Sequence, residues 1–136
     1  MLNGKHSNEL GIETMTLPSG ETVRVTGLER TLIDIVVRPR YAGGTAAALH
    51  AYRVARGRLS PQRLVSMLKR LDYVYPYHQA IGFLMAQAGY TESEYADLRN
   101  IGITYDFYLL HGASNQTYDL NWRVYYPRDF NEIPDQ

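Results

Sequence analysis

The amino-acid sequence predicts an α+β domain with antiparallel β-hairpins at both ends and a central cluster of about five helices packed on the sheet. Near each end of the chain, apolar residues alternate with polar ones, as in strands with one buried face. In the middle, apolar residues recur at helical spacing. This order of elements favours an antiparallel sheet that the helices cover on one face. Whether the two hairpins share one sheet stays open.

The first predicted hairpin consists of Ile12–Leu17 and Thr22–Thr26, joined by a Pro-Ser-Gly-Glu turn. Thr26 and Glu29 then match a capping box, in which a threonine hydroxyl and a glutamate three residues later satisfy free amides at a helix start. The helix that follows, from about Leu28 to Val37, is apolar almost all round, so we expect it in the core.

Four further helices are predicted from turn residues, helix caps and apolar spacing. They run from Ala46 to about Arg56, from Pro61 to about Leu71, from Pro76 to about Ala88, and from the capping box Thr91–Glu94 to about Asn100. A long amphipathic hairpin is expected to follow. Polar and apolar residues alternate over Ile103–Leu109 and again over Thr117–Tyr126.

The chain of 136 residues is expected to fold as a single domain, residues 1–136, without a disulfide or a metal to stabilise it. It contains no cysteine, which removes disulfides, thiolate metal sites and cysteine nucleophiles together. The start does not resemble a secretory signal, and no segment approaches the roughly 18 apolar residues of a membrane span. The prediction is a cytoplasmic protein without membrane contact.

The sequence lacks the residue patterns that support catalysis. Its histidines stand far apart, so no zinc-binding pair is predicted. No serine lies in a Gly-x-Ser-x-Gly elbow, and no lysine follows a glycine-rich phosphate loop. Asp106 and Asp119 fall on predicted strands, but no Asp/Glu-x-Lys pattern accompanies them. We therefore expect a non-enzymatic protein that needs no metal and no cofactor.

The most distinctive segment is Glu29–Gly44. Arg30, Asp34 and Arg38 share one stripe of an otherwise apolar helix, because they are spaced four residues apart. The favoured interpretation is architectural: Glu29 closes the helix cap, and an arginine one turn away on either side holds Asp34. A direct ligand contact is the alternative. The structural signature of the segment comprises Glu29, Arg30, Asp34, Arg38, Gly43 and Gly44.

Positive charge is concentrated in the first half of the chain. Residues 22–70 hold ten basic and two acidic residues, and residues 71–136 hold three basic and nine acidic ones. Arginines without a local carboxylate suit phosphates or carboxylates of a partner. A solvated helix face, or pairing between the two halves, is the alternative. The predicted binding surface, called the basic surface below, comprises Arg40, His50, Arg53, Arg56, Arg58 and Arg63.

The third distinctive feature is the tyrosine-rich segment Tyr73–His78. Tyrosine rings can stack on nucleic-acid bases. The favoured interpretation is that these rings pack at the edge of the core while their hydroxyl groups reach solvent.

Four segments together resemble the C-terminal domain of AbiEi-family antitoxins, which belong to type IV toxin–antitoxin systems tied to abortive phage infection. They are Thr26–Asp34, Arg38–Gly44, Tyr75–Phe83 and Trp122–Pro127. The resemblance covers nearly the whole chain in the right order. Each element is weak alone, but E-R-T-L-x-D combined with R-P-x-x-A-G-G is fairly specific.

The resemblance implies a non-enzymatic antitoxin effector domain that counteracts a nucleotidyltransferase-like toxin without needing a stable complex. The family also carries an N-terminal winged helix-turn-helix that binds its own promoter DNA as a transcriptional regulator. That element is missing from these residues, so promoter binding is not carried over. Two alternatives stay open: a module that binds DNA or RNA through the basic surface, and a dimerisation domain of a transcriptional regulator. The oligomeric state is not predicted.

Overall fold

The computed structural model describes residues 12–38, 43–110 and 115–128, and these form five helices and five short strands. In chain order the elements are β1 (Ile12–Thr16), β2 (Thr22–Thr26), α1 (Leu28–Val37), α2 (Thr45–Ala55), α3 (Pro61–Leu71), α4 (Tyr77–Gln87), α5 (Glu92–Ile101), β3 (Phe107–Tyr108), β4 (Gln116–Asp119) and β5 (Val124–Pro127). The α+β class is confirmed, and the helices lie close to where the sequence placed them.

The strands form two separate sheets within the described residues. The first is the predicted antiparallel hairpin, in which Ile12 lies opposite Thr26. The second has the order β3-β5-β4. Its β4–β5 pair is antiparallel, but β3 runs parallel to β5, so this sheet is mixed.

The predicted long hairpin over Ile103–Leu109 and Thr117–Tyr126 is therefore wrong in its pairing. The carboxylate of Asp119 accepts the backbone N–H of Trp122 at 2.8 Å, and this turn splits the second predicted strand in two. In the first predicted strand, the backbone oxygen of Tyr105 accepts a hydrogen bond from a helix side chain instead of a neighbouring strand. A turn carboxylate and a helix side chain thus replace the strand pairing that the alternating pattern predicts.

Helix α4 lies at the centre of the fold, and every side chain from Gln79 to Met85 is buried. It packs against α1, α2 and α5, and the small mixed sheet covers it through Phe107 and Val124. The ring of Phe83 meets that of Tyr126 with centroids 4.8 Å apart. Because α4 is apolar on all sides, it is buried between the other helices and this sheet.

One buried amide joins α4 to the C-terminal part of the fold. Gln79 is fully buried, and its Nε2 donates to the carbonyl of Tyr105 at 2.5 Å and to that of Trp122 at 2.9 Å. A buried amide is tolerated only when its hydrogen bonds are made. These bonds fix the segment before β3 and the turn before β5 on the same helix.

Two buried tyrosines connect α1, α2 and the segment after α4. The hydroxyl of Tyr52 donates to the carbonyl of Leu32, and that of Tyr90 donates to the carbonyl of Tyr52, both at 2.8 Å. Burial raises the pKa of Tyr52 well above its ordinary value. Burial, then the nearby charge of Glu94, raises the pKa of Tyr90 to about 12, against a smaller lowering by Arg56.

The raised tyrosine pKa values predict a loss of stability at alkaline pH. In the unfolded chain a tyrosine ionises near pH 10, whereas Tyr90 in the fold ionises at about 12. Its contribution to stability is therefore complete below about pH 10 and is lost as pH rises toward 12. The melting temperature of Tyr90→Phe should fall less steeply over this window than that of the wild type. The exposed control Tyr105→Phe should keep the wild-type slope, and a wild-type slope in Tyr90→Phe would contradict this prediction.

Candidate functional site

The charged stripe of α1 contains the predicted ion pair. Nε of Arg30 donates to both carboxylate oxygens of Asp34, at 3.0 and 3.2 Å. The side chain of Arg30 is 13% exposed and that of Asp34 is 37% exposed, so the pair is partly shielded from water. Arg38 ends the helix and its backbone N–H donates to the carbonyl of Asp34 at 2.8 Å. Whether the Arg38 guanidinium also meets the carboxylate stays a prediction.

Helix α1 begins after Gly27 and not after Thr26, so the predicted capping box at α1 is wrong in its N-cap residue. The N-cap residue is Gly27, and no side chain caps it. Instead the buried carboxylate of Glu29 accepts the backbone N–H of Ser60 at 2.9 Å, at the start of α3. Its other oxygen lies 3.9 Å from Nε of Arg63. Glu29 therefore caps a different helix, which sequence spacing could not reveal.

At the N-terminus of α3, two helices supply the groups of one capping box. The Ser60 hydroxyl accepts the N–H of Arg63 at 3.3 Å, as an N-cap serine does. In a capping box the residue at the Arg63 position is usually a glutamate that accepts the N-cap amide. Here Glu29 of α1 supplies that carboxylate, so the signature segment fixes the position of α3.

All five described members of the basic surface are exposed, and three of them lie on α2 or in the turn that follows it. His50 and Arg53 are on α2, and Arg58 is in the turn before α3. The side chains of these three residues make no hydrogen bond and no ion pair in the described ranges. Gly43 and Gly44, with φ of 95° and 110°, lead into α2 in a conformation that favours glycine.

The other members of the basic surface differ from these three. Nη1 of Arg56 donates to the carbonyl of Ala88 at 2.9 Å, just after α4, so this guanidinium has a structural partner. Arg63 is paired with Glu29, as described above. Arg40 lies outside the described residues. Within the described residues, His50, Arg53 and Arg58 are thus the members of the basic surface whose side chains have no partner in the fold.

The tyrosine-rich segment packs its rings together beside the start of α4. Tyr77 makes edge contacts with Tyr73 at 5.0 Å and with Tyr75 at 5.3 Å between ring centroids. Tyr75 and Tyr77 both pack on Phe107 of β3, at 5.1 and 5.8 Å. The rings form one cluster that is anchored on the small sheet, and Tyr75 remains 41% exposed.

A pocket of about 350 Å³ opens beside this cluster. It lies between the end of α3, the connection to α4, the first turn of α4 and the end of α5. Its walls are formed by Leu68, Lys69, Asp72, Tyr73, Tyr75, Tyr77, His78 and Ile101. This pocket could not be predicted from the sequence, because Ile101 joins the other lining residues only through the fold.

The two aspartates that fell on predicted strands have structural partners. Asp106 accepts the hydroxyl of Tyr118 at 2.8 Å and Nε of Arg123 at 3.1 Å. These hydrogen bonds hold the pKa of Asp106 below its ordinary value, that from Tyr118 most. Asp119 accepts the amide of Trp122.

Among the described residues, no group of three or more histidines and carboxylates lies close enough to hold a metal ion. No helix in the described ranges has the length and apolar character of a membrane span.

Comparisons with known proteins bear on the fold. No family model and no curated protein sequence matches the chain. The crystal structure of the RV2827C protein from Mycobacterium tuberculosis is similar, with a TM-score of 0.58 and 17% sequence identity. The likeness covers 75% of this chain and 35% of that chain, so this chain matches only a part of the larger protein. At this identity the likeness shows a shared fold.

Proposed function

We propose that the protein is a non-enzymatic antitoxin effector domain of a type IV toxin–antitoxin system, which counteracts a nucleotidyltransferase-like toxin through the basic surface. The resemblance of four segments to AbiEi antitoxins supports the class of function. The observation that carries the site assignment is the exposure of His50, Arg53 and Arg58, without ion pairs in the described part of the chain. Such a function belongs in the cytoplasm.

The chemistry of these side chains supports contact with an acidic or phosphorylated partner. Arginine presents a planar set of donors that matches carboxylate and phosphate oxygens. Since Arg53 and Arg58 have no carboxylate partner among the described residues, a partner does not have to break an ion pair within that part of the chain. Exposed charges of this kind mainly steer association and select the partner.

Co-expression with the cognate nucleotidyltransferase tests this proposal. We expect the double variant Arg53→Ala/Arg58→Ala to lose rescue from the toxin while its melting temperature stays near that of the wild type. Exposed substitutions that break no internal contact usually change stability by less than about 0.5 kcal/mol. Arg56 and Arg63 are left intact, because their loss would disturb contacts within the fold.

The matched control is Arg70→Ala, which removes an exposed positive charge from the last turn of α3. It should keep full rescue. Rescue by the double variant, at a soluble protein level equal to that of the wild type, would contradict the assignment of the basic surface.

A nucleic-acid-binding module is the second candidate, because Arg53 and Arg58, exposed and without an ion pair in the described ranges, also suit phosphates. In that case affinity for DNA or RNA falls steeply with salt, by roughly 0.9 in log–log slope per phosphate contacted on a duplex. The double variant would then reduce both the affinity and the slope. No binding at low salt excludes this candidate. A measurement of the mass of the protein in solution tests the third candidate, a dimerisation domain.

A further inference from the structure

The walls of the pocket beside the tyrosine cluster are held in place before any ligand arrives. Tyr77 stands almost perpendicular to Tyr73 and to Tyr75, at 76° and 74° between ring planes. Phe107 supports Tyr75 and Tyr77 from the small sheet. Leu68 completes an apolar wall. Preformed apolar walls with a few polar groups are typical of small-molecule sites, and about 350 Å³ is at the lower end of their range.

The polar groups of the pocket offer both donors and acceptors. Lys69 and Asp72 are exposed, and neither belongs to an ion pair within the described residues. Nε2 of His78 lies 2.6 Å from the carbonyl oxygen of Gly102. A carbonyl can only accept, so Nε2 carries the proton, and Nδ1 is the ring nitrogen that a ligand can meet.

The charges around the pocket disfavour a cationic ligand. Lys69 lines the pocket itself. Burial raises the pKa of Tyr73 most, then the carboxylate of Asp34, against a lowering by Arg30 and a smaller one by Arg38. Burial also raises the pKa of Tyr77, and Arg38 lowers it, so Arg38 lies near both hydroxyls. Asp72 is the one carboxylate among the lining residues. Because Arg30 and Asp34 are paired with each other, an ammonium ligand on the tyrosine rings would meet the positive charges of Lys69 and Arg38 against the carboxylate of Asp72.

We propose that this pocket binds a single nucleobase-type heteroaromatic ring with an attached phosphate, stacked on Tyr75 and with its phosphate toward Lys69. Aromatic side chains stack on any base, because every base has a π-face. The donors and acceptors of Lys69, Asp72 and His78 suit the mixed hydrogen-bonding edge of a base. The ring is supplied either by a free mononucleotide or by the end of a single strand. This inference does not rest on the proposed function of the basic surface.

The first test measures binding of AMP, GMP, CMP and UMP to the whole chain by calorimetry. Tyr75→Ala should weaken binding roughly 5- to 150-fold, which is the effect of losing one base–aromatic stack. The control Tyr105→Ala removes another exposed tyrosine that does not line the pocket and should bind like the wild type.

The second test separates the base from the phosphate. Lys69→Ala should weaken binding of a mononucleotide but not of the corresponding nucleoside, and the neighbouring control Arg70→Ala should change neither. In the wild type, nuclear magnetic resonance shifts on ligand addition should centre on His78 and Ile101. That readout does not depend on whether a variant folds.

A comparison of two ligands, a mononucleotide and a short single strand, shows which of them supplies the ring. Binding of mononucleotides with this dependence assigns a free nucleotide. Binding of a short single strand alone, with the same dependence on Tyr75, assigns a strand end. The proposal is overturned if neither a mononucleotide nor a short single strand binds at millimolar concentration. It is also overturned if Tyr105→Ala weakens nucleotide binding as much as Tyr75→Ala does. Binding of a proline-rich peptide alone, dependent on Tyr75, would overturn it as well. Arg53→Ala/Arg58→Ala should bind mononucleotides normally, so failure here and failure of the antitoxin proposal are separate results.

Discussion

Replacement of Trp122 by alanine is expected to lower the free energy of unfolding by about 4 kcal/mol, the largest effect predicted for a single side chain in this protein. The Trp122 side chain is 2% exposed. Its ring meets Tyr95 edge-on at 5.5 Å, and the guanidinium of Arg99 lies 4.7 Å from its centroid. Loss of the indole removes a buried aromatic contact and a cation–π contact together. Chemical denaturation measures the change.

The complementary variant, Gly82→Ala, adds a methyl group on the side of α4 that Trp122 covers. Gly82 of α4 lies directly under the indole, and a Cβ added there would come within 2.7 Å of Cε3 and closer still to Cζ3 and Cη2. Gly82→Ala should therefore cost stability, although alanine is normally the better helix former by about 1 kcal/mol. Gly57→Ala is not a suitable control, because Gly57 has φ of 89°. Ser66→Ala, exposed on α3, serves instead and should be nearly neutral.

A double variant tests whether the two residues act as one contact. In Gly82→Ala/Trp122→Leu, the smaller side chain leaves room for the new methyl group. The loss should then be smaller than the sum of the losses in Gly82→Ala and Trp122→Leu measured singly, because the effects of residues in contact are not additive. A Gly82→Ala protein as stable as the wild type would contradict the close packing of α4 against the turn before β5.

Glu29→Ala is expected to lower the free energy of unfolding by about 3 kcal/mol, although Glu29 lies on a short helix near the start of the fold. The variant leaves the amide of Ser60 without its acceptor and opens a cavity beside it. It also removes the carboxylate that lies 3.9 Å from Nε of Arg63. The result is measured by thermal and chemical denaturation.

The conservative variant Glu29→Gln separates the two roles of this carboxylate. Glutamine retains an oxygen that can accept from Ser60, so its loss should be clearly smaller than that of alanine. A charged acceptor is worth more than a neutral one, so the loss should not vanish. Equal stability of Glu29→Ala and the wild type would show that α1 does not cap α3.

The helices were predictable because their signals are local. Ser60 and Pro61 start α3 as the sequence indicates, and the Thr91–Glu94 capping box starts α5, with the glutamate accepting the Thr91 amide at 2.8 Å. Apolar spacing also identified α4 as buried. In each case the residues that decide the structure lie within a few positions of one another.

The features that were missed depend on residues far apart in the chain. Glu29 matches a local capping box, but its partner is Ser60, 31 residues away. The second hairpin fails because Gln79, on a helix, binds the backbone of Tyr105. No periodicity in the sequence carries this information. Such contacts decide between two locally acceptable structures.

The candidate site shows the same division. Helical spacing placed His50 and Arg53 on the outer face of one helix, and the structure shows both exposed on α2. The same spacing included Arg56, but its guanidinium reaches the carbonyl of Ala88 after α4. The tyrosine pocket needed Ile101 from the end of α5, so composition alone could not locate it.

We propose that the charged stripe of α1, formed by Arg30, Asp34 and Arg38, is architectural and that the basic surface acts on the partner. The most direct measurement is rescue from the cognate toxin, at matched soluble protein levels, by two double variants. Arg30→Met/Asp34→Met replaces the ion pair by apolar side chains of similar size and should still rescue. Arg53→Ala/Arg58→Ala should not. The reverse pattern, with rescue lost only when the charged stripe of α1 is changed, would contradict this assignment of the two surfaces.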